Sequence, residues 1–210
     1  MPIFPMRNFL LINFLATILS CGQPLYQNLQ TTTANTDCLS ALKPIFTSIL
    51  YYTHINVMGK HLSGLLLFKK MQDSTTRVVF TNEAGVKFFD FEYSDSCFKV
   101  IYCIKQLDKK AVISQLKKDI GYTIMNGVVL SSAKYFHSEK ENYFGFFSGK
   151  EQTYFITDKD CSKLLRMENA SKRKKKIIVN LTGYKNGMPD SIYIAHQLFE
   201  FNIDLKQIER

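Results

Sequence analysis

The feature that most limits the fold is a series of short segments between residues 49 and 104 in which apolar and polar side chains alternate. Such alternation places one set of side chains on each face of a β-strand. Short turn sequences such as Asn82-Glu83-Ala84-Gly85 separate the segments and leave no room for crossover helices. The pattern therefore predicts an antiparallel meander of five strands: Ile49–Val57, Leu62–Met71, Thr76–Thr81, Val86–Tyr93 and Cys97–Ile104.

One helix is predicted after the meander, over Lys109–Ile120. Asp108 stands at the N-cap, Leu107 and Val112 stand at hydrophobic-staple positions, and Gly121 can end the helix. Its apolar stripe, opposite a lysine-rich face, consists of Ile113, Leu116 and Ile120.

Strand patterns resume after the helix, in the segments Val128–Phe136, Tyr143–Phe147, Thr153–Thr157, Ser162–Glu168, Lys176–Leu181, Ser191–Gln197 and Phe199–Leu205. The predicted class is mainly β (α+β). We expect a curved antiparallel sheet or half-barrel of about 10–12 strands, with one or two covering helices.

The order of strands, helix and strands resembles the LolA/LolB fold, in which helices cover an incomplete antiparallel barrel around an apolar cavity. Three stretches carry the resemblance: Gly64–Lys70, Arg77–Glu92 with its N-x-x-G turn, and Met188–Ile194 with its P-x-x-I pattern. They also look like stretches of uncharacterised lipoproteins from Bacteroidota. The resemblance implies a non-catalytic protein that holds a lipid or lipoprotein acyl chain in its cavity.

One loop departs from the LolB pattern. In LolB-type proteins the loop between the third and fourth strands carries a bulky apolar residue that helps to insert lipoproteins into a membrane. Here that loop offers Glu83 and Ala84. The resemblance therefore does not imply delivery of lipoproteins.

The aromatic residues suggest where a cavity would lie. The chain has 17 Phe and 11 Tyr but no Trp. Most of these rings are expected in the core, but Phe88-Phe89 and Phe146-Phe147 are neighbours whose side chains must face opposite sides of a sheet. A second apolar surface, either under the helix or within a cavity, is therefore expected. Its predicted lining is Leu66, Phe68, Phe80, Phe89, Phe91, Val100 and Tyr102.

The N-terminus predicts export. Arg7 precedes an apolar run, Phe9–Leu19, which is too short for a membrane span of about 20 residues. Ile18-Leu19-Ser20-Cys21 resembles the bacterial lipobox, which implies cleavage before Cys21 and lipidation of its thiol. The alternative is a plain signal that happens to contain Cys21.

The chain accordingly divides into three parts. Residues 1–20 are predicted as a signal peptide, residues 21–36 as a polar tether and residues 37–210 as one β-rich domain. The expected location is the bacterial cell envelope, lipid-anchored at the outer membrane. The expected partners are that membrane, a lipid or lipoprotein acyl chain and envelope proteins.

The charge favours anionic partners. The chain carries +9, and residues 1–20 contribute only Arg7, so the exported part carries +8. An exported protein rarely meets nucleic acid, so none is expected as a partner. The densest basic run is either a solvated loop or a contact with anionic headgroups: Lys172, Arg173, Lys174, Lys175 and Lys176.

Four cysteines follow Cys21, namely Cys38, Cys97, Cys103 and Cys161, and they allow three sets of disulfide pairs. Cys97 and Cys103 cannot pair on one strand, where about 20 Å would separate their Cα atoms. We favour the interpretation that all four are small apolar fillers, with disulfides as the alternative.

Catalytic signals are weak. No GxSxG, HExxH or phosphate-binding glycine motif occurs, and the histidines are scattered without metal-ligand spacing: His54, His61, His137 and His196. Asp90 and Glu92 share one strand face as a possible carboxylate pair, but a solvated outer face explains them more simply. We expect no enzyme activity, catalytic residue, cofactor or metal.

Three functions remain in order of preference. The first is a membrane-anchored lipoprotein that binds a lipid or acyl chain in an apolar cavity. The second is a structural or adaptor subunit of an envelope complex that binds no lipid. The third is a hydrolase without a recognisable motif. An open cavity between sheet and helix would favour the first.

Overall fold

The computed structural model describes residues 24–31, 36–57, 59–95 and 97–208. These residues form thirteen strands, two α-helices and one 3₁₀ turn at Leu130–Ser132. The elements are β1 (Gln30–Thr31), α1 (Thr36–Ala41), β2 (Ser48–Val57), β3 (Lys60–Lys70), β4 (Thr76–Thr81), β5 (Lys87–Tyr93), β6 (Phe98–Cys103), α2 (Lys110–Thr123), β7 (Lys134–His137), β8 (Glu141–Ser148), β9 (Glu151–Asp158), β10 (Leu164–Ala170), β11 (Lys175–Lys185), β12 (Met188–His196) and β13 (Phe201–Gln207).

All the strands belong to one antiparallel sheet, in the order β1-β7-β8-β9-β10-β11-β12-β13-β2-β3-β4-β5-β6. The predicted five-stranded meander is confirmed as β2 to β6. The second meander, β7 to β13, joins the first through the pairing of β13 with β2. The mainly β class and the open, curved antiparallel sheet are therefore confirmed.

Helix α2 lies in the concave face of the sheet and buries Leu116 and Ile120 against it. The predicted cap is wrong, because Lys109 occupies the N-cap and makes no side-chain capping bond. The helix also continues past Gly121 to Thr123. Gly121 faces the ring of Tyr93, whose hydroxyl donates to a main-chain carbonyl of the helix, so packing on β5 favours the additional turn.

The segment predicted as a strand over Val128–Phe136 is partly wrong. It begins with the 3₁₀ turn, in which the amide and hydroxyl of Ser132 both donate to the carbonyl of Val129. A serine that bonds a nearby carbonyl competes with sheet hydrogen bonding, so the strand begins only at Lys134.

A disulfide joins Cys38 of α1 to Cys161 in the β9–β10 connection, with 5.8 Å between the Cα atoms. The interpretation of all four cysteines as apolar fillers is therefore wrong for this pair. Cys97 and Cys103 remain free thiols. Sequence could not select the pair, because 123 residues separate its members and only the folded sheet brings them together.

Residues 24–29 cross the outer face of the sheet and lead into β1 at its edge, and we call residues 24–31 the strap. The amide of Leu25 donates to the carbonyl of Lys172, and at the other end Gln30 pairs with His137. Between them the ring of Tyr26 packs 4.2 Å from that of Tyr154. Part of the segment assigned to the polar tether therefore contacts the domain.

A buried carboxylate holds the strap. The Tyr26 hydroxyl donates to Glu168, which also accepts hydrogen bonds from Arg166 and Lys175. Burial alone would raise the pKa of Glu168, but the bonds from Lys175, Tyr26 and Arg166 outweigh it and leave the pKa below its ordinary 4.5. The strap is thus held by the ionised form of Glu168.

The predicted signal peptide and Cys21 lie outside the described residues, so export and lipidation stay predictions. Within the described part of the chain, neither helix is long and apolar enough to cross a membrane.

The disulfide gives a stability prediction. Cys38 and Cys161 are 123 positions apart, so their disulfide closes a long loop that restricts the unfolded chain. Because Cys161→Ala removes this restriction, we expect the free energy of unfolding to fall by about 3 kcal/mol. Urea unfolding without reductant measures it. Cys97→Ala, at an exposed free thiol, is the control and should change little. Equal effects of the two variants would contradict a stabilising disulfide.

Glu168 gives a pH prediction. Because its pKa is lowered by folding, it stabilises the protein above the unfolded value of 4.5, and that stability is lost as the pH falls through the folded pKa. In urea unfolding from neutral to acidic pH, Glu168→Gln should therefore reduce the acid-induced loss of stability. The matched change at exposed Glu139 should leave the pH dependence as it is in the parent. Identical pH profiles for Glu168→Gln and parent would refute this role.

Candidate functional site

An apolar groove of about 350 Å³ opens between the first half of α2 and the sheet. Strands β2, β3, β5 and β13, the residues before α2 and the β12–β13 loop all contribute to it. Its lining is Ile55, Val57, Leu62, Phe89, Leu107, Ala111, Val112, Gln115, Leu116, Phe199 and Phe201. Gln115 is the single polar side chain among these described residues.

The groove lies at one end of the sheet, and antiparallel pairing determines which loops meet there. Val57 at the end of β2 is paired with Phe201 at the start of β13. The loops β4–β5, β10–β11 and β12–β13 fall at this same end because successive turns of an antiparallel sheet alternate between its two ends. We call it the groove end.

Leu107 and Val112 contribute the helix side of the groove. Their spacing in the sequence predicts a hydrophobic staple at the start of the helix. In the structure the same two side chains line the groove. The aromatic wall from Phe199 and Phe201 could not be found from sequence, since nothing local places the β12–β13 loop against α2.

Beyond the groove the interior is filled. The deeper space under α2 is a void of only about 10 Å³, no larger than one water molecule needs. Of the predicted cavity residues, Phe89 lines both spaces, whereas Leu66 and Phe68 reach only the void. Phe80 and Phe91 are wholly buried in the core. Of the predicted cavity residues, Phe89 alone therefore borders a space large enough for a ligand.

Val100 and Tyr102 were predicted to line the cavity, and the structure places both elsewhere. They are 41% and 45% exposed on the edge strand β6. A register shift in the β5–β6 pairing sets Tyr102 opposite Asp90 on the outer face, while Val100 stays opposite Phe91. Strict alternation predicts one common face, but the bulge moves the later residues to the other side.

A buried polar cluster supports the aromatic wall. His196 Nε2 lies 3.0 Å from an Asp119 carboxylate oxygen, and the Gln115 amide donates to the same carboxylate. The rings of Phe199 and Phe201 pack on the His196 imidazole at centroid distances of 4.7 and 4.8 Å. The cluster therefore ties α2 to β12 and positions the groove wall.

The basic run is divided by the structure. Lys175 pairs with Glu168 and Lys176 with Glu151, 3.0 Å away, where the Lys176 ammonium lowers the pKa of the Glu151 carboxyl. Both lysines thus form ion pairs on the sheet and are only partly exposed. The exposed members are those of the β10–β11 loop at the groove end: Lys172, Arg173 and Lys174.

The suggested carboxylate pair on β5 belongs to an ion-pair network. Asp90 is almost fully buried, accepts a bidentate bond from Arg77 and also pairs with Lys87. Glu92 pairs with Lys99. The expectation of a solvated face is therefore wrong for Asp90, whose bonding capacity is taken by cations. The described residues contain no group of three or more metal-ligating side chains.

Comparison with known proteins gives information about the fold only. No protein-family model matches the sequence, and a search of curated proteins gave no match. A solved LolA superfamily protein from Nitrosomonas europaea matches with a TM-score of 0.50 and 9% identity, over 85% of this chain and 93% of that one. The chain has a LolA-like fold.

Two other solved structures match at a TM-score of 0.46 over 83% of this chain and 90% of each of theirs. They are a DUF1329 family protein from Desulfovibrio piger, at 10% identity, and a domain from Vibrio parahaemolyticus named for outer membrane lipoprotein sorting, at 9%. At these TM-scores and identities, neither of the two likenesses carries an argument about this chain. The likeness to Bacteroidota lipoproteins stays a prediction.

The polar cluster gives a prediction about the site. Asp119→Ala leaves the His196 ring and the Gln115 amide without their buried acceptor, so the free energy of unfolding should fall by about 3 kcal/mol. Chemical denaturation measures the loss. Asp160→Ala, in an exposed turn, is the control and should stay within about 0.5 kcal/mol of the parent. A loss no larger than the control's would show that the cluster does not support the wall.

Proposed function

We propose that this protein is a membrane-anchored, non-catalytic lipoprotein that binds the hydrocarbon chain of a lipid or lipoprotein in the groove. The observation that carries the proposal is the lining, in which Gln115 alone is polar among the described residues. A site of this composition favours a ligand whose buried part makes no hydrogen bonds.

The size of the groove is consistent with part of an acyl chain. Its volume of about 350 Å³ is at the lower end of ordinary ligand sites, which begin near about 300 Å³. Each methylene group moved from water into apolar surroundings contributes about 0.8 kcal/mol. Because the deeper interior is filled, the carboxyl or headgroup end would remain at the mouth.

The polar side chain of the groove is already engaged. The Gln115 amide nitrogen donates to Asp119 at 3.0 Å, which leaves its carbonyl oxygen as the acceptor on this side. The lining offers no charged side chain among the described residues. An ionic substrate would lose its hydration in the groove without compensation, which argues against hydrolysis of a charged compound there.

The membrane anchor in this proposal is lipidated Cys21, on the basis of the lipobox resemblance. An anchored acyl-chain carrier would work in the bacterial cell envelope, at the outer membrane, where the acyl chains of lipids and of other lipoproteins are present.

The second candidate function is an envelope adaptor that binds no lipid. The filled interior favours it, because a sheet packed by its own side chains can serve as a rigid module without a ligand. The adaptor and the carrier differ in whether the groove takes up a hydrocarbon chain.

A substitution in the groove separates them. In native mass spectrometry with palmitate, the parent should bind one molecule, and Ala111→Trp should weaken binding at least about tenfold, since the indole would fill the mouth. Ser114→Trp places the same ring on an exposed position of the same helix outside the lining, and should bind like the parent. A parent that takes up no palmitate, while envelope proteins co-purify with it, would establish the adaptor instead.

A further inference from the structure

We infer that the groove end is a docking surface for an anionic lipid bilayer, in which the β12–β13 loop enters the interface and the β10–β11 loop contacts lipid headgroups. The apolar part is Leu198 and Phe199, and the basic part is Lys172, Arg173 and Lys174. This surface is additional to the proposed acyl-chain site and does not depend on whether the groove is occupied.

The register of the sheet brings the two loops together. Ala170 pairs with Lys175 across the β10–β11 turn, and Ile177 of β11 pairs with His196 of β12. The Gln197 amide then donates to the carbonyl of Lys176. The apolar loop and the basic loop are therefore neighbours at one end of adjacent strands.

The β12–β13 loop exposes two large apolar residues in succession. Leu198 is 58% exposed and Phe199 is 47% exposed. A single exposed apolar side chain needs no explanation, but adjacent ones at a loop tip indicate a contact surface. We call Leu198 and Phe199 the apolar rim; Val86, in the β4–β5 turn at the same end of the sheet, is also 57% exposed.

The charge beside this rim selects the partner. Lys172, Arg173 and Lys174 are all exposed, and the nearby Glu151 is already paired with Lys118 and Lys176. Apolar side chains next to exposed cations suit the anionic headgroup region of a bilayer, where each basic residue adds to binding. The β12–β13 loop also contains one acidic residue, Glu200, which directly follows Phe199 in the sequence.

The strap places the N-terminal side of the domain at the same end. Its Leu25 amide is bonded to the Lys172 carbonyl, and Tyr26 is held by Glu168. Cys21 precedes Pro24 by three residues, which reach at most about 11 Å even when fully extended. A lipid on Cys21 would thus hold the groove end near the bilayer.

Vesicle binding tests the surface without the anchor. A protein of residues 22–210 lacks Cys21 and contains every contact described above, since all of them lie within residues 24–208. In cosedimentation with phosphatidylcholine vesicles, with and without phosphatidylglycerol, the parent should bind only the anionic ones, and less with added salt. Leu198→Ser, and separately the pair Lys172→Glu and Lys174→Glu, should each weaken partitioning about tenfold or more.

Matched controls lie at the opposite end of the sheet. Ile45→Ser removes another exposed aliphatic chain, and the pair Lys140→Glu and Lys159→Glu makes the same change of charge. Both should stay within about twofold of the parent, with unchanged circular dichroism in all variants. The inference is overturned if the parent does not bind anionic vesicles, or if the controls lose as much binding as the loop variants.

The same proteins distinguish this inference from the proposed function. Ala111→Trp should still bind anionic vesicles, and Leu198→Ser should still take up palmitate. Vesicle binding without palmitate uptake would leave the docking surface standing and remove the acyl-chain site. Palmitate uptake without vesicle binding would do the reverse.

Discussion

The pairing of β13 with β2 is the interaction on which the rest of the structure depends. Seven residue pairs run from Phe201–Val57 to Gln207–Tyr51, with an added bond between the side chains of Asn56 and Asn202. Without it the chain would form two separate meanders, each with an open edge. With it, strands from both halves curve around α2, and Val57 and Phe201 become neighbours in the groove.

The same pairing explains why the apolar space is a groove rather than a deep cavity. Side chains from both meanders converge on Leu116 and Ile120 and fill the middle of the sheet. Beside the first turns of α2 the space stays open, and Phe199 of the β12–β13 loop forms part of its wall together with strand residues such as Val57 and Phe201.

Sequence patterns gave correct predictions where the contacts of a segment lie within a few residues of it in the chain. The four-residue turn at Asn82–Gly85 was correctly located: the Asn82 amide donates to the Val86 carbonyl, and the Val86 amide donates to the Asn82 side-chain oxygen. The helix was correctly located too, though its cap and end were not. Tyr102 shows the limit: one bulge in a strand reverses every later side chain, and alternation in sequence contains no sign of it.

Long-range features were beyond local patterns for the same reason. The Cys38–Cys161 bond, the strap and the different exposure of the members of the basic run all depend on which strands become neighbours. Residues assigned to a polar tether contain Tyr26, whose partner Glu168 stands 142 positions away. A segment whose polar composition predicts a solvated tether can therefore be bound to the domain through one buried carboxylate.

Alternating strands, short turns and one amphipathic helix were decided by the sequence alone, because they follow from side-chain periodicity within a few residues. The sequence likewise determined the basic charge and the lipobox-like N-terminus. Only the tertiary structure decided where apolar side chains line a groove and which basic residues are exposed. It also decided at which end of the sheet the N-terminal segment lies. These depend on register and strand order, which arise from contacts between residues far apart in the chain.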